Sequence, residues 1–437
     1  MTDAGTVAAG RRRGGPGDRR SGPPVNRARE RLRAAGQLGW GLGDQALSSL
    51  TNFALSLLVA REVGVAQLGV FSLVFATYLL ALGVSRSLNS DTLAVRYSFA
   101  GEPAWREGAA AAAGGALGLG LAGGLACALA GLVADGLLGD ALMVLGLGLP
   151  GLLLQDVWRF AFVARGRSAQ AFVNDLVWAV VLAAALAVLL ATGRTSVLAF
   201  ELAWSGSAGV AALAGIAQAR LLPWPLNPLR WWRRHRDLNT RYLGEFLTIG
   251  AVSQVNSYAV SAVAGLAVVG ALRAGEILVG PVYVLFMGGN MIAVAEGARV
   301  ASRSVAGLAR LSVLVSAGMS VAAALWGAVL LLLPDSLGTR VLGPTWYTAA
   351  EVLVPFALLT IGLTASAGPQ TGVRALAAAR RGLRARLIAA PLLLAGAIGG
   401  AALGGAVAAA WGMAAGYWAA AIVWWWQFRL AVVEHRP

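Results

Sequence analysis

Apolar runs long enough to cross a bilayer recur along the whole chain, and this recurrence constrains the fold more than any other feature. They fall at roughly 38–61, 67–88, 108–133, 141–163, 171–192 and 196–219. After a polar linker they resume near 246–270, 276–298, 309–333, 347–368, 385–404 and 407–428. A helix of about 20 apolar residues covers the hydrocarbon core of a membrane. In lipid, only helices and closed barrels satisfy every backbone polar group. Composition agrees: 58% of the 437 residues are hydrophobic, 13% are charged, and the mean hydropathy is +0.70. A soluble chain could not hide that much apolar surface. The expected fold is an all-α polytopic membrane protein of about twelve transmembrane helices.

The basic residues orient these helices. All 35 are arginine, and the formal net charge is +15. Placing the N-terminus inside assigns 31 of the 35 arginines to one side and leaves Arg61, Arg194, Arg273 and Arg340 on the other. That loop-by-loop alternation follows the positive-inside rule, so both termini are expected to be cytoplasmic. It also explains the charge without nucleic acid as a partner. Cys127 is the only cysteine and His235 and His435 the only histidines, so no disulfide, metal site or cofactor is expected.

Six spans per half divide the chain into an Arg-rich disordered tail (1–37), an N-terminal lobe (38–219), a basic cytoplasmic linker (220–245), a C-terminal lobe (246–430) and a short tail (431–437). The first span is unusual. Asp44, Gln45, Ser48, Ser49, Thr51 and Asn52 crowd its first half, a density lipid does not tolerate, so they must face other helices or a wet cavity. Ser49-Leu-Thr-Asn52 is echoed by Ser253-Gln-Val-Asn256, and Val63-Gly64-x3-Leu-Gly69 by Val269-Gly270-x3-Ala-Gly275. Farther on, Gln155-x3-Arg159-x5-Arg165-Gly166 is echoed by Gln370-x3-Arg374-x5-Arg380-Arg381-Gly382. Two matches at similar offsets imply two parallel six-helix lobes around a central cavity. Glycines at four-residue spacing in the third and eleventh spans imply close helix packing rather than a ligand. The linker tryptophans Trp224, Trp231 and Trp232 fit either a headgroup-level segment or a solvated loop. Trp424, Trp425 and Trp426 fit an interfacial belt.

The stretch DQALSSLTNFALSLLVAREVGVAQLGVFSLVFATYLL, with QDVWRFAFVARGR and AFVNDLVW behind it, resembles the bacterial polysaccharide and lipid-linked oligosaccharide flippases. These belong to the superfamily that also holds the multidrug and toxin exporters. The resemblance implies a bacterial plasma-membrane protein that moves a polyprenyl-pyrophosphate glycan from the inner to the outer leaflet. It implies alternating access driven by an ion gradient or membrane potential, without ATP hydrolysis. Its partners would be that lipid-linked substrate, membrane lipids, and a polysaccharide polymerase or glycosyltransferase.

Such a cavity needs cations for pyrophosphate and hydrogen-bonding groups for sugars. The candidate substrate contacts are Arg159, Arg86 and Arg374, with Asn52, Asn256 and Asn290. Arginines that merely anchor topology, and asparagines that merely bridge helices, are the plain alternatives. Asp156 lies three residues before Arg159 on the same helix face. Asp156, Asp175, Asp44 and Glu296 are candidates for ion pairing or for carrying a coupling proton. Arg61, Glu201, Glu276 and Glu351 fall at the outer ends of their spans.

A drug or small-metabolite exporter is the alternative within the superfamily. A polytopic glycosyltransferase or glycan ligase would need a large outer loop bearing acids or histidines. The largest here, around 334–346, holds only Asp335, so no enzyme is expected. A scaffold role would leave the polar first helices without a purpose.

Overall fold

The computed structural model describes residues 24–435, and all regular structure among them is helical. The N-terminal lobe begins with α1 (Pro24–Glu62) and α2 (Val65–Ser85). A π-helical turn, Arg86–Ser90, carries α2 into α3 (Asp91–Tyr97). Next come α4 (Glu102–Val133), α5 (Gly136–Ala164), α6 (Ser168–Ala191) and α7 (Val197–Ala219). Two short linker helices follow, α8 (Pro228–Arg234) and α9 (Arg236–Glu245). A second π-helical turn, Phe246–Gly250, leads into α10 (Val252–Ala264). The C-terminal lobe continues with α11 (Leu266–Leu278), α12 (Gly280–Ala301), α13 (Val305–Leu331), α14 (Asp335–Leu342), α15 (Trp346–Ala365), α16 (Ala367–Ala375) and α17 (Ala379–Glu434).

Nine helical stretches among the described residues are long and apolar enough to span a membrane. The other expected spans are there in altered form. The polar residues of α1 dilute its hydropathy, and the seventh span is bent at its π-helical turn. The last two spans form one element, folded back at Gly404 and Gly405 into arms 379–403 and 406–434. Gly405 takes φ +63°, a conformation open to glycine at little cost. With α1, α9–α10 and both arms of α17 included, about twelve helices form two lobes. Residues 1–23 of the expected tail lie outside the described residues, whereas residues 24–37 are helical and extend α1.

The lobes meet where α2 crosses α11. A β-carbon on Gly69 would lie 1.9 Å from the Leu266 carbonyl oxygen, and one on Gly270 would lie 1.9 Å from the Val65 carbonyl oxygen. The two contacts exchange under one shift of 201 residues (270 − 69 and 266 − 65), the signature of a pseudo-twofold axis. This corrects the sequence register, which set Gly69 opposite Gly275. The turn after α10 is at Gly265 (φ +85°), several residues before hydropathy placed it. Consequently α11 runs inside the bundle and takes Arg273 and Glu276 with it. On the same arginine-poor side, Thr345 on the short connection after α14 donates a hydrogen bond to the Ala60 carbonyl of α1. The lobes are thus closed there.

Close backbone approach joins neighbouring helices, as the glycine spacing implied. A β-carbon on Gly124 of α4 would sit 2.3 Å from the Gly146 carbonyl of α5, whose usual donor is missing because residue 150 is proline. The arms of α17 touch where a β-carbon on Gly396 would meet the Gly412 carbonyl at 2.2 Å.

The linker docks on the N-terminal lobe. Trp231, His235 and Asn239, one helical turn apart, turn inward and are buried. The Trp231 indole donates to the Leu88 carbonyl at 2.9 Å, and Arg96 pairs with Asp237. Trp224, by contrast, is 67% exposed. Burial lowers the pKa of His235.

Candidate functional site

The N-terminal lobe gathers a polar cluster in the arginine-rich half of the bundle. Arg159 of α5 lies 2.7 Å from Asp44 of α1, 3.0 Å from Asp175 of α6 and 3.9 Å from Asp156 one turn back. Arg86, at the π-helical turn, clasps Asp156 through Nη2 at 2.6 Å and Nε at 3.1 Å. Gln155 donates to Asp175 at 2.7 Å, and Asn174 donates to the Ala211 carbonyl at 2.8 Å and to Gln218 at 3.0 Å. All three aspartates are buried. Sequence reasoning grouped Asp156, Arg159 and Asp175; the structure adds Asp44 and Arg86. Three carboxylates face two guanidinium groups, and Asp44 Oδ1, Asp175 Oδ2 and the Arg159 Nε–H have no hydrogen-bond partner among the described residues. The cluster therefore has acceptor capacity to spare.

Between the lobes lies a chamber built of cavities that share lining residues. One, of about 410 Å³, is lined by Asn52, Ser56, Phe75, Arg273, Glu276 and Tyr283 among others. An adjoining one, of about 160 Å³, reaches Ser72, Gln254, Asn256 and Ser257. A third, of about 380 Å³, extends into the C-terminal lobe. At 1.5 Å per residue, Glu276 lies ~16 Å below the Gly265 turn, near mid-membrane. Arg273 reaches Glu276 at 3.2 Å and Ser56 of the opposite lobe at 3.2 Å, with its guanidinium 5.5 Å from the Phe75 ring centre. Its Nε–H and the Asn256 Oδ1 are buried without partners. An unpartnered donor and an unpartnered acceptor thus lie beside one chamber.

The remaining sequence candidates divide. Asn52 and Asn256 line the chamber, although Asn52 also donates to the Ser48 carbonyl of its own helix at 3.0 Å. Asn290 is buried and accepts from Thr371 at 3.2 Å, an interhelical bond that leaves it outside the chamber lining. Glu296 pairs with Arg299 at 2.7 Å on an exposed surface of α12. Arg374 is exposed beyond α15, and Arg86 and Arg159 are committed to aspartates. Sequence reasoning missed Arg273 and Arg386. The first was assigned to an outer loop; the second was counted only as a topology arginine. The signal that could have found Arg273 is Gly265, the turn glycine closer to the end of the polar seventh span. Glu201, expected at an outer end, is fully buried, and Glu351 is exposed.

No family model and no curated protein matches the sequence. The fold does match solved structures. An inward-facing multidrug resistance MATE family transporter of the MOP superfamily overlaps with a TM-score of 0.63 at 17% identity, over 90% of this chain and 98% of that one. An outward-facing one gives 0.52 at 17% identity, over 92% and 95%. A MOP superfamily transporter from Pyrococcus furiosus, described as having a binding pocket of reverse polarity, gives 0.52 at 13% identity, over 91% and 94%. The chain has the fold of the MOP superfamily transporters.

Proposed function

We propose that this chain is an alternating-access transporter that moves a lipid-linked, anionic oligosaccharide from the inner to the outer leaflet. The observation that carries the reading is Arg273, held at mid-chamber with an unused donor and surrounded by hydroxyl and amide groups. Guanidinium suits phosphate oxygens, and a wall of Ser, Asn, Gln and Tyr suits sugar hydroxyls. Both lobes contribute to that wall, so rocking them changes the side to which it opens. The N-terminal cluster is the proposed coupling site. Its two free carboxylate oxygens offer a place for a proton or another cation, whose arrival or departure would repack α1 against α5 and α6.

The second reading is export of a drug or small metabolite. It is favoured by the fold neighbours, two of which are described as multidrug resistance transporters, and by the excess of carboxylate over guanidinium in the N-terminal cluster. Bacterial plasma-membrane location, cytoplasmic termini and the absence of an enzymatic step belong to the same proposal.

Depletion of the protein in its host, with mass spectrometry of polyprenyl-pyrophosphate glycans, tests the reading. One completed glycan should accumulate, and wild type but not Arg273→Gln should clear it. An unchanged lipid pool together with new sensitivity to cationic compounds would overturn it in favour of the exporter.

A further inference from the structure

The third cavity has a polarity of its own. It runs between α10, α15, α16 and the two arms of α17. At its arginine-rich end stand Thr248, Gln370, Arg386 and Trp424; Leu363, Leu393, Leu394 and Ala420 wall it above. Arg386 and Trp424 lie at one depth, each 18 residues from the Gly404–Gly405 fold-back or close to it. Leu394 is eight residues deeper, or ~12 Å along the helix. The slot thus carries a cation at the membrane surface and a leucine wall above it, which gives way to Asn256, Ser257, Glu276 and Tyr417 toward the midplane.

Two details separate this slot from ordinary packing. Among the described residues, no hydrogen bond or ion pair engages the Arg386 guanidinium, although Arg374 and Glu245 are near enough for their charges to reach it. Trp424 is 7% exposed whereas Trp426 is 53% exposed. Only Trp426 behaves as an interfacial belt residue; Trp424 has turned inward and lines the slot. Through Ser253, Asn256, Ser257, Glu276 and Met413 the slot shares its upper wall with the rest of the chamber.

We propose that the slot is a loading site for a phosphate amphiphile drawn from the inner leaflet. Arg386, supported by Gln370 and Thr248, takes the phosphate, and Leu363, Leu393, Leu394 and Trp424 hold the first carbons of the chain. The slot, of about 380 Å³, has room for a phosphate with a chain segment beside it. The assignment of that amphiphile as the transported substrate rests on the proposed function; the binding chemistry does not.

The test uses the full chain in phosphatidylcholine nanodiscs and a dibromo-octadecyl phosphate probe, since bromine quenches indole fluorescence on contact. Quenching that disappears in Trp424→Phe is expected. Arg386→Gln should raise the half-quenching concentration about tenfold, equivalent to ~1.4 kcal/mol. Arg386→Lys should restore part of the loss, which shows that the variant site remains folded. Dibromo-octadecanol should quench weakly and ignore the Arg386 substitution. Absence of Trp424-dependent quenching, or an equal effect of Arg386→Gln on phosphate and alcohol, would overturn the proposal. Equal quenching by a dibromo-acyl phosphatidate would make ordinary anionic lipid the occupant and overturn the loading role. Probe binding without glycan accumulation on depletion would fail the proposed function and leave the slot standing. Accumulation without binding would do the reverse.

Discussion

Gln155 and Gln370 occupy matching motifs in the two lobes, yet they live in opposite surroundings. Gln155 is buried and donates to Asp175 in a cluster where Arg86 and Arg159 are both paired. Gln370 donates to Ser366 at 2.8 Å on the wall of an open slot whose arginine is unpaired among the described residues. One lobe spends its charges on itself; the other leaves a cation facing a cavity. Under the proposed function, the same six-helix plan would hold a small cation in one lobe and recognise an anion in the other.

The sharpest way to break this comparison is to remove one charge from the buried side. Asp156→Ala strips Arg86 of its partner and leaves Arg159 with two aspartates instead of three. Removing one member of a buried pair strands the other, at a cost of about 3–5 kcal/mol. Thermal unfolding of the purified protein should therefore fall steeply. Gln370→Ala should stay within about 0.5 kcal/mol, because its site is already open. Equal losses would mean that both lobes are structural clusters.

Where the lobes are alike, they should respond alike. Gly69→Ala and Gly270→Ala each push a β-carbon into a backbone carbonyl across the pseudo-twofold axis. Overpacking of this kind costs about 1–3 kcal/mol, borne by the state in which the arginine-poor side is closed. Spin-label distances across that side should show the closed-to-open ratio falling by about 5- to 150-fold in both variants. A shift in only one would contradict the symmetric crossing.

Arginine supplies the next contrast. Arg273→Gln should lower transport about tenfold, ~1.4 kcal/mol, with unfolding nearly unchanged, because the side chain is part-exposed to the chamber. Arg159→Gln should lower both, since it leaves Asp44 and Asp175 facing each other without a cation. Flux assays beside melting curves separate the two. If Arg273→Gln also melts early, its pair with Glu276 is a strut rather than a ligand surface.

Much of this architecture was legible in the sequence because lipid imposes simple rules. Apolar length gave the spans, and arginine placement gave an expected orientation for them. Asp44 and its polar neighbours declared that the first helix faces protein or water. Helix geometry joined Asp156 to Arg159. What escaped the sequence depended on one turn. Hydropathy runs smoothly through Gly265, so Arg273 was assigned to a loop although it lies deep in the chamber. Trp424 and Trp426 are identical in composition and two residues apart; only the neighbouring arm of α17 decides which meets lipid. Asn290 resembles Asn256 in residue type and expected depth, but Thr371, far away in sequence, claims its carbonyl.

The smallest expected effect concerns the linker, which belongs to the N-terminal lobe by packing although it leads into the other. His235 Nδ1 donates to the Trp231 carbonyl at 3.0 Å, since a carbonyl can only accept, and Nε2 then accepts from the Tyr97 hydroxyl at 3.3 Å. The neutral ring is fully satisfied. Burial disfavours a second proton, and Arg96 and Arg234 add repulsion that Asp237 partly offsets, so the folded pKa lies below the ordinary histidine value. With the folded pKa depressed, the unfolded state binds more protons in the window between the two values. Linker stability is then complete above about pH 6.5 and declines as pH falls through the folded pKa. Hydrogen exchange at the amides of residues 231–239 should quicken as pH falls from 7 to 5, beyond the intrinsic trend, by an amount equivalent to less than about 1 kcal/mol. His235→Phe keeps the ring stack and removes the titration, so its exchange should follow the intrinsic trend alone. A pH response that survives the substitution would move the cause to the Arg96–Asp237 pair, and the linker would be held to the N-terminal lobe by charge more than by its buried face.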